Sequence, residues 1–172
     1  VQQYYRDAND DYTEAIKLCP DYASAYSNRA NARSNLGQSK VEWGDIAAVQ
    51  QDYRDAIDDY TEAIKLCPDY ALVYNNRADV MCHFGRSKDA AGNMEAAKDL
   101  YQEALIDINT AIELDSNIAL FFHTRGEIRH ALGDYSAAIE NYEKAREIDP
   151  DYTDVCKDLK LSKKALEQQN IL

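Results

Sequence analysis

The chain has 172 residues, 45% of them hydrophobic and 29% charged, with a mean hydropathy of −0.61; this balance suits a folded helical protein and excludes wholesale disorder. The formal net charge of −12 and isoelectric point of about 4.6 exclude nucleic acid and anionic membranes as general partners, and leave basic or neutral peptides as easier ones. Six glycines and three prolines fit long helices joined by short turns, and no apolar run is long enough to cross a bilayer.

Residues 1–22, VQQYYRDANDDYTEAIKLCPDY, return as residues 49–70, VQQDYRDAIDDYTEAIKLCPDY. Only Tyr4 against Asp52 and Asn9 against Ile57 differ, at an offset of 49 − 1 = 48 residues. A weaker copy continues from Tyr22 and Tyr70, and the next unit starts at Ala119, again 48 after Ala71. The last full unit, Ala119 to Tyr152, has 34 residues. A fixed period of this size is the mark of a stacked array. Pro20, Pro68 and Pro150 punctuate it, because the residue before proline avoids helical geometry. Asp21, Asp69, Asn117 and Asp151 stand just ahead of the following helices, where they are expected to cap free N–H groups.

In the 34-residue unit, Phe122 supplies a large aromatic and Gly126 a small residue in a first helix. Gly133-Asp134-Tyr135 supplies a turn, Ala138, Tyr142 and Ala145 the packing positions of a second helix, and Pro150 the close. With these residues the segment closely resembles a tetratricopeptide repeat. The longer units carry the same marks: Tyr26 and Tyr74, Ala30 and Ala78, then Ala56 with Ala63 and Ala104 with Ala111, with Tyr60 and Ile108 between them. Pro68 closes one unit, whereas Ser116 replaces proline in the next. The chain departs from the family at Arg29, Arg77 and Arg125, usually Leu there, and at Arg33 and Arg129, usually Tyr.

The resemblance implies an all-α fold, an α-solenoid of stacked antiparallel helical hairpins in a right-handed superhelix. Residues 1–22 are the second helix of a truncated unit, 23–70 and 71–118 extended units, 119–152 a standard unit and 153–172 a C-terminal capping helix. Small residues at the crossings let helix axes approach to about 8–10 Å. One hairpin cannot bury its whole apolar face, so neighbours must stack.

Each long unit has 48 − 34 = 14 extra residues, about four turns at roughly 3.6 residues per turn. Gly44-Asp45-Ile46 and Gly92-Asn93-Met94 imitate Gly133-Asp134-Tyr135, each seven residues after a glycine at the usual turn site, Gly37 or Gly85. Seven residues added to each helix keep the buried faces in register to about 20° and project the hairpins by roughly 10 Å. The alternative keeps the turn at Gly37 and Gly85 and follows it with a loop or an extra helix. A helix break at those glycines distinguishes the two.

Residues 1–19 then form a second helix with no first helix before it, and its apolar face is bare on one side. With the start at Val1, this predicts either a piece of a longer array or a helix that packs on another molecule, end-to-end self-association included. No secretory leader is visible. Residues 153–172 form a final helix with Val155, Leu159 and Leu166 inward and Lys157, Lys160, Lys163 and Lys164 outward, a solvating cap.

First helices line a concave groove in this family. The resemblance therefore implies groove positions at Ser24, Ser27, Asn28, Asn31 and Ser34, at Leu72, Asn75, Asn76, Asp79 and Cys82, and at Leu120, His123, Thr124, Glu127 and His130. Amide side chains can bond a peptide backbone, and Asn28 and Asn76 match an asparagine that grips extended peptides in related repeats. A chaperone-tail clamp needs lysines that Ser27 with Asn31 and Leu120 with Thr124 do not supply, so a carboxylate would lack its cationic partner.

Arg29, Arg77 and Arg125 recur at one repeat position; pairing with Asp58, Asp59 or Asp107 is the favoured reading over a cationic ladder for an acidic ligand, since 31 acids face 19 bases. His123 and His130 lie seven apart on one helix, about 10 Å along its axis, too far to share a metal. No nucleophile–base pair, phosphate loop or paired-acid motif stands out, and Asp10-Asp11 and Asp58-Asp59 point to different helix faces. The expectation is a non-enzyme without cofactor: a scaffold that holds a peptide or helix of a partner protein. The alternative is a structural spacer or regulatory arm in a larger protein. Cys19, Cys67, Cys82 and Cys156 match no zinc spacing, so unpaired thiols in a reducing, cytoplasmic setting are expected.

Overall fold

The computed structural model describes residues 2–41 and 46–171. Eight helices follow one another among them: α1 (Gln2–Leu18), α2 (Ala23–Val41), α3 (Ile46–Leu66), α4 (Ala71–Ala90), α5 (Met94–Leu114), α6 (Ala119–Ala131), α7 (Tyr135–Ile148) and α8 (Val155–Gln169). There is no strand among the described residues. Helices α2/α3, α4/α5 and α6/α7 form antiparallel hairpins, with α1 ahead of the first and α8 behind the last.

Helices α2 and α4 run unbroken through Gly37 and Gly85. Helix α4 has 20 residues against 13 in α6, and α5 has 21 against 14 in α7. The added length is therefore one heptad in each arm. The chain reverses at Gly92 (φ +79°) and Gly133 (φ +78°), in the left-handed region that glycine enters without steric cost. The matching turn at Gly44 and Asp45 lies outside the described residues.

Gly37 and Gly85, turn sites in a short unit, become packing positions in the long ones. A glycine inside a helix costs about 1 kcal/mol relative to alanine. It is retained because a Cβ on Gly85 would come within 2.8 Å of Tyr101 Cδ1, and one on Gly37 within 3.2 Å of Tyr53 Cε1. Each long hairpin thus has two crossing layers, Ala30 or Ala78 below and Gly37 or Gly85 above.

The apolar interior is one seam. Ala30, Tyr53, Ala56, Tyr60 and Phe84 form its first stretch, Ala78, Tyr101, Ala104, Ile108 and Phe121 its second, and Phe122, Ala138, Tyr142, Val155 and Leu159 its third. Ile57 and Leu100 pack against both of the first two, and Ile112 against the second and third. Burying one such large side chain contributes about 1.5–3 kcal/mol. Helix α1, by contrast, has no buried residue.

The capping expectation is not met at Asp69, Asn117 or Asp151. The N-cap residues just ahead of α4 and α6 are Tyr70 and Ile118, neither of which makes a side-chain cap. Asp21 and Asp69 turn back instead: their backbone carbonyls accept from the N–H of Ala23 and Ala71, and their carboxylates accept from the thiols of Cys19 (3.0 Å) and Cys67 (3.2 Å). Asn117 and Asp151 are themselves held, through their N–H groups, by Asp115 and Asp149. Asp134, not among the four, caps α7 by accepting from Ala137 N–H.

Candidate peptide-binding groove

The recurring arginines are built into the stack. Arg29 Nε and Nη2 donate to the two oxygens of Asp59 at 2.9 and 2.6 Å, and Arg77 does the same to Asp107 at 2.6 and 2.8 Å. Each also reaches back to the previous second helix, Arg29 to Thr13 at 3.2 Å and Arg77 to Thr61 at 2.9 Å. Arg125 follows the plan with neutral partners, Asn141 at 2.6 Å and Asn109 at 3.0 Å. A forked guanidinium bonds two acceptor sets at once, so each rung ties three helices together. Of the acids anticipated as partners, Asp59 and Asp107 serve, and exposed Asp58 does not.

The anticipated groove residues divide by repeat position. Ser27, Asn75 and His123, the fifth residues of α2, α4 and α6, are buried, and so are Cys82 and Thr124. They are corrections to the expected surface. His123 gives the physical reason: this position faces the next first-type helix. Its Nε2 bonds Asp158 Oδ2 at 2.9 Å and its Nδ1 bonds the Tyr152 hydroxyl at 3.2 Å. Further along α6, His130 Nδ1 bonds Ser162 Oγ at 2.7 Å. Both histidines thus hold α8 in place.

The others keep a solvent face. Asn28 and Leu72 are exposed; Ser24, Asn31, Asn76, Asp79 and Glu127 are half-buried. Three of the asparagines form a relay. Asn75 Nδ2 donates to Asn76 Oδ1 at 3.2 Å, Asn76 Nδ2 approaches Asn31 Oδ1 at 3.4 Å, and Asn31 Oδ1 also accepts from the Tyr60 hydroxyl at 2.6 Å. Buried Asn75 Oδ1 has no partner among the described residues.

Arg86 of α4 lines two recesses, and of the anticipated groove residues Glu127 and His130 line the second. The first is an apolar cavity of about 440 Å³ lined by Val41, Ile46, Val49, Tyr53, His83 and Arg86. The second, about 490 Å³, is polar and lined by Arg86, Glu127, His130, Lys157 and Asp158. Arg86 borders both and pairs with Glu127 at 3.2 Å. Desolvation pushes the Asp79 carboxyl up from its ordinary value, and His83, at 3.6 Å, opposes the shift. Val41, Ile46, His83 and Arg86 were absent from the sequence-based groove. Most of this cavity is made by the added heptads, which have no counterpart in a 34-residue unit. The helical spacing of Asp79, His83 and Arg86 was the available signal.

No group of three His, Cys, Asp or Glu among the described residues is placed to hold a metal ion, and no described helix is long and apolar enough to cross a membrane.

Stacked antiparallel hairpins sharing one seam define an α-solenoid. Family models confirm which kind. One described as TPR repeat matches residues 44–82 and 126–155, and one described as tetratricopeptide repeat matches residues 11–40. The chain belongs to the tetratricopeptide-repeat proteins.

Solved structures agree in fold. TTC0263, a thermophilic TPR protein of Thermus thermophilus, superposes with a TM-score of 0.71 at 17% identity, over 93% of this chain and 73% of that one. MamA gives 0.59 at 20% identity, over 96% and 89%. The TPR2B domain of yeast Sti1, in complex with pHsp70, gives 0.53 at 25% identity, over 81% and 97%. No curated protein matches the sequence.

Proposed function

We propose that the chain is a protein-interaction scaffold that holds a peptide or helix of a partner protein, and that it performs no catalysis. The observation that carries this reading is the pair of recesses, one apolar and one polar, that share Arg86 as a lining residue. An apolar cavity with a few polar groups at its edge suits one anchoring side chain, and the amides of Asn28 and Asn76, at other positions on the first-type helices, suit a peptide backbone. The Sti1 domain, whose structure is a complex with pHsp70, supports the general mode of use.

The partner differs in chemistry from a chaperone tail. Ser27, Asn31, Leu120 and Thr124 put no lysine at the clamp positions, and Ser27 and Thr124 are buried. A basic or neutral peptide with one large apolar residue fits the net charge of −12 and the apolar cavity. Peptide capture from a random library tests this. The pair Asn28→Ala with Asn76→Ala should weaken the captured peptide about 10- to 100-fold, as loss of two or so hydrogen bonds implies, with helicity by circular dichroism unchanged. Capture of no peptide at all favours a spacer or regulatory arm.

A further inference from the structure

We propose that the side chain anchored in the apolar cavity is a tyrosine of the partner peptide, whose hydroxyl accepts a hydrogen bond from Tyr53. The inference rests on the peptide-holding reading above and names the residue that the cavity selects. It starts from a difference between the two long hairpins. In the second, the Tyr101 ring crosses Gly85 and its hydroxyl donates to Asp89 Oδ2 at 2.6 Å. In the first, Tyr53 crosses Gly37 in the same way, but the residue 48 before Asp89 is Val41. A carboxylate acceptor has been exchanged for an apolar side chain. Tyr53 is 2% exposed, and no described residue accepts from its hydroxyl. Buried hydroxyls nearly always have a partner. Here Tyr53 and Val41 both line the cavity, so the place that Asp89 fills in the second hairpin is open to a ligand in the first.

The rest of the lining fixes the chemistry of the occupant. Val41, Ile46, Val49 and Ala90 make the walls apolar, and exposed Val41 and Ile46 mark the side open to solvent. The volume of about 440 Å³ admits an aromatic ring. Burial, with Asp79 and Asp52 adding and Arg86 opposing, pushes Tyr53 up to about 12, so its hydroxyl stays protonated and donates. The occupant is therefore large, mostly apolar and tipped with an acceptor. Leucine, isoleucine and phenylalanine have no acceptor, the tryptophan indole only donates, and methionine sulfur accepts weakly. A carboxylate would lose its hydration and be repelled by the same Asp79 and Asp52. Tyrosine joins an apolar body to a hydroxyl that can accept. Its ring also finds suitable neighbours. His83 lies within 21° of the Tyr53 plane, with centroids 6.4 Å apart, and Arg86, whose Nη2 holds Glu127 at 3.2 Å, brings a cation to the same cavity.

The test selects peptides on the whole chain from a phage-displayed random library and measures their affinities by fluorescence polarisation. The selected peptides are expected to share one tyrosine. Changing it to phenylalanine should weaken binding about tenfold, the size of one hydrogen bond lost in a buried site. With Tyr53→Phe in the chain, the tyrosine and phenylalanine peptides should bind alike. Val41→Asp copies the second hairpin and gives Tyr53 an acceptor of its own. It should weaken the tyrosine peptide about tenfold or more, with the melting temperature of the chain held or raised. Peptides that bind without a shared tyrosine, a tyrosine preference that persists in Tyr53→Phe, or unchanged binding to Val41→Asp each overturn the proposal and leave the scaffold reading standing. Selection of no peptide at all overturns both.

Discussion

Arg33 Nε donates to Asn9 Oδ1 at 3.0 Å, and one repeat later both partners change together, Asn9 to Ile57 and Arg33 to Met81. Met81 is buried and Ile57 packs against the same apolar cluster. One of the two differences between the twin segments is thus a polar contact exchanged for an apolar one at a single site between units.

The exchange should be transferable. Asn9→Ile alone removes an acceptor from a half-buried guanidinium and should cost about 1 kcal/mol. Arg33→Met also gives up the ion pair with Asp59 at 2.8 Å, so the exchange should show not as recovered stability but as a coupling of about 0.5 kcal/mol or more in a double-mutant cycle read by urea denaturation.

The arginine rungs predict unequal effects at one residue. Asp107→Ala leaves Arg77, only 16% exposed, without its forked acceptor and should cost about 3 kcal/mol. Asp107→Asn should cost less, since Arg125 is already held by the amide oxygen of Asn141 at 2.6 Å. Urea midpoints of the two variants check the order.

Gly85→Ala sets helix propensity against packing. Propensity favours alanine by about 1 kcal/mol, but the new methyl meets the buried Tyr101 ring, and overpacking costs about 1–3 kcal/mol. Net destabilisation is expected. At Gly37 the nearest atom is Asp52 Cβ, at 3.1 Å, so Gly37→Ala should be milder. Thermal melts of both variants measure the contrast.

Attachment of α8 should weaken in mild acid. Burial pushes the His130 imidazole below its usual value of about 6.5; Arg86 adds to the effect, while Asp158 and Glu127 oppose it. The folded state therefore binds the proton less readily than the unfolded chain. Stability from this site is full above about pH 6.5 and declines as pH falls below it. Amide exchange in α8 at pH 7.5 and 5.5 should show the loss, and His130→Gln should reduce the difference.

The hairpins, the seam and the added heptads were legible in the sequence because each rests on spacing, and 3.6-residue periodicity converts spacing directly into a shared face. The side on which a polar residue finds its partner was less legible. Ser27, Asn75 and His123 look like groove residues by position, yet the turn of the helix carries them under the next unit. Asp21 and Asp69 stand where caps stand, but a nearby thiol takes their carboxylates. The cavity at Val41, Ile46 and Arg86 has no place in a 34-residue template, so resemblance could not supply it.

Because each arm grew by one heptad and the glycine at the former bend was absorbed as a crossing, the wall of the trough lengthens only in whole steps. An insertion shared equally between the arms can reproduce the same glycine-on-tyrosine layer, whereas one confined to a single arm leaves that arm without an opposite number. The height of a hairpin can thus vary from unit to unit along the array while the seam at its base stays the same.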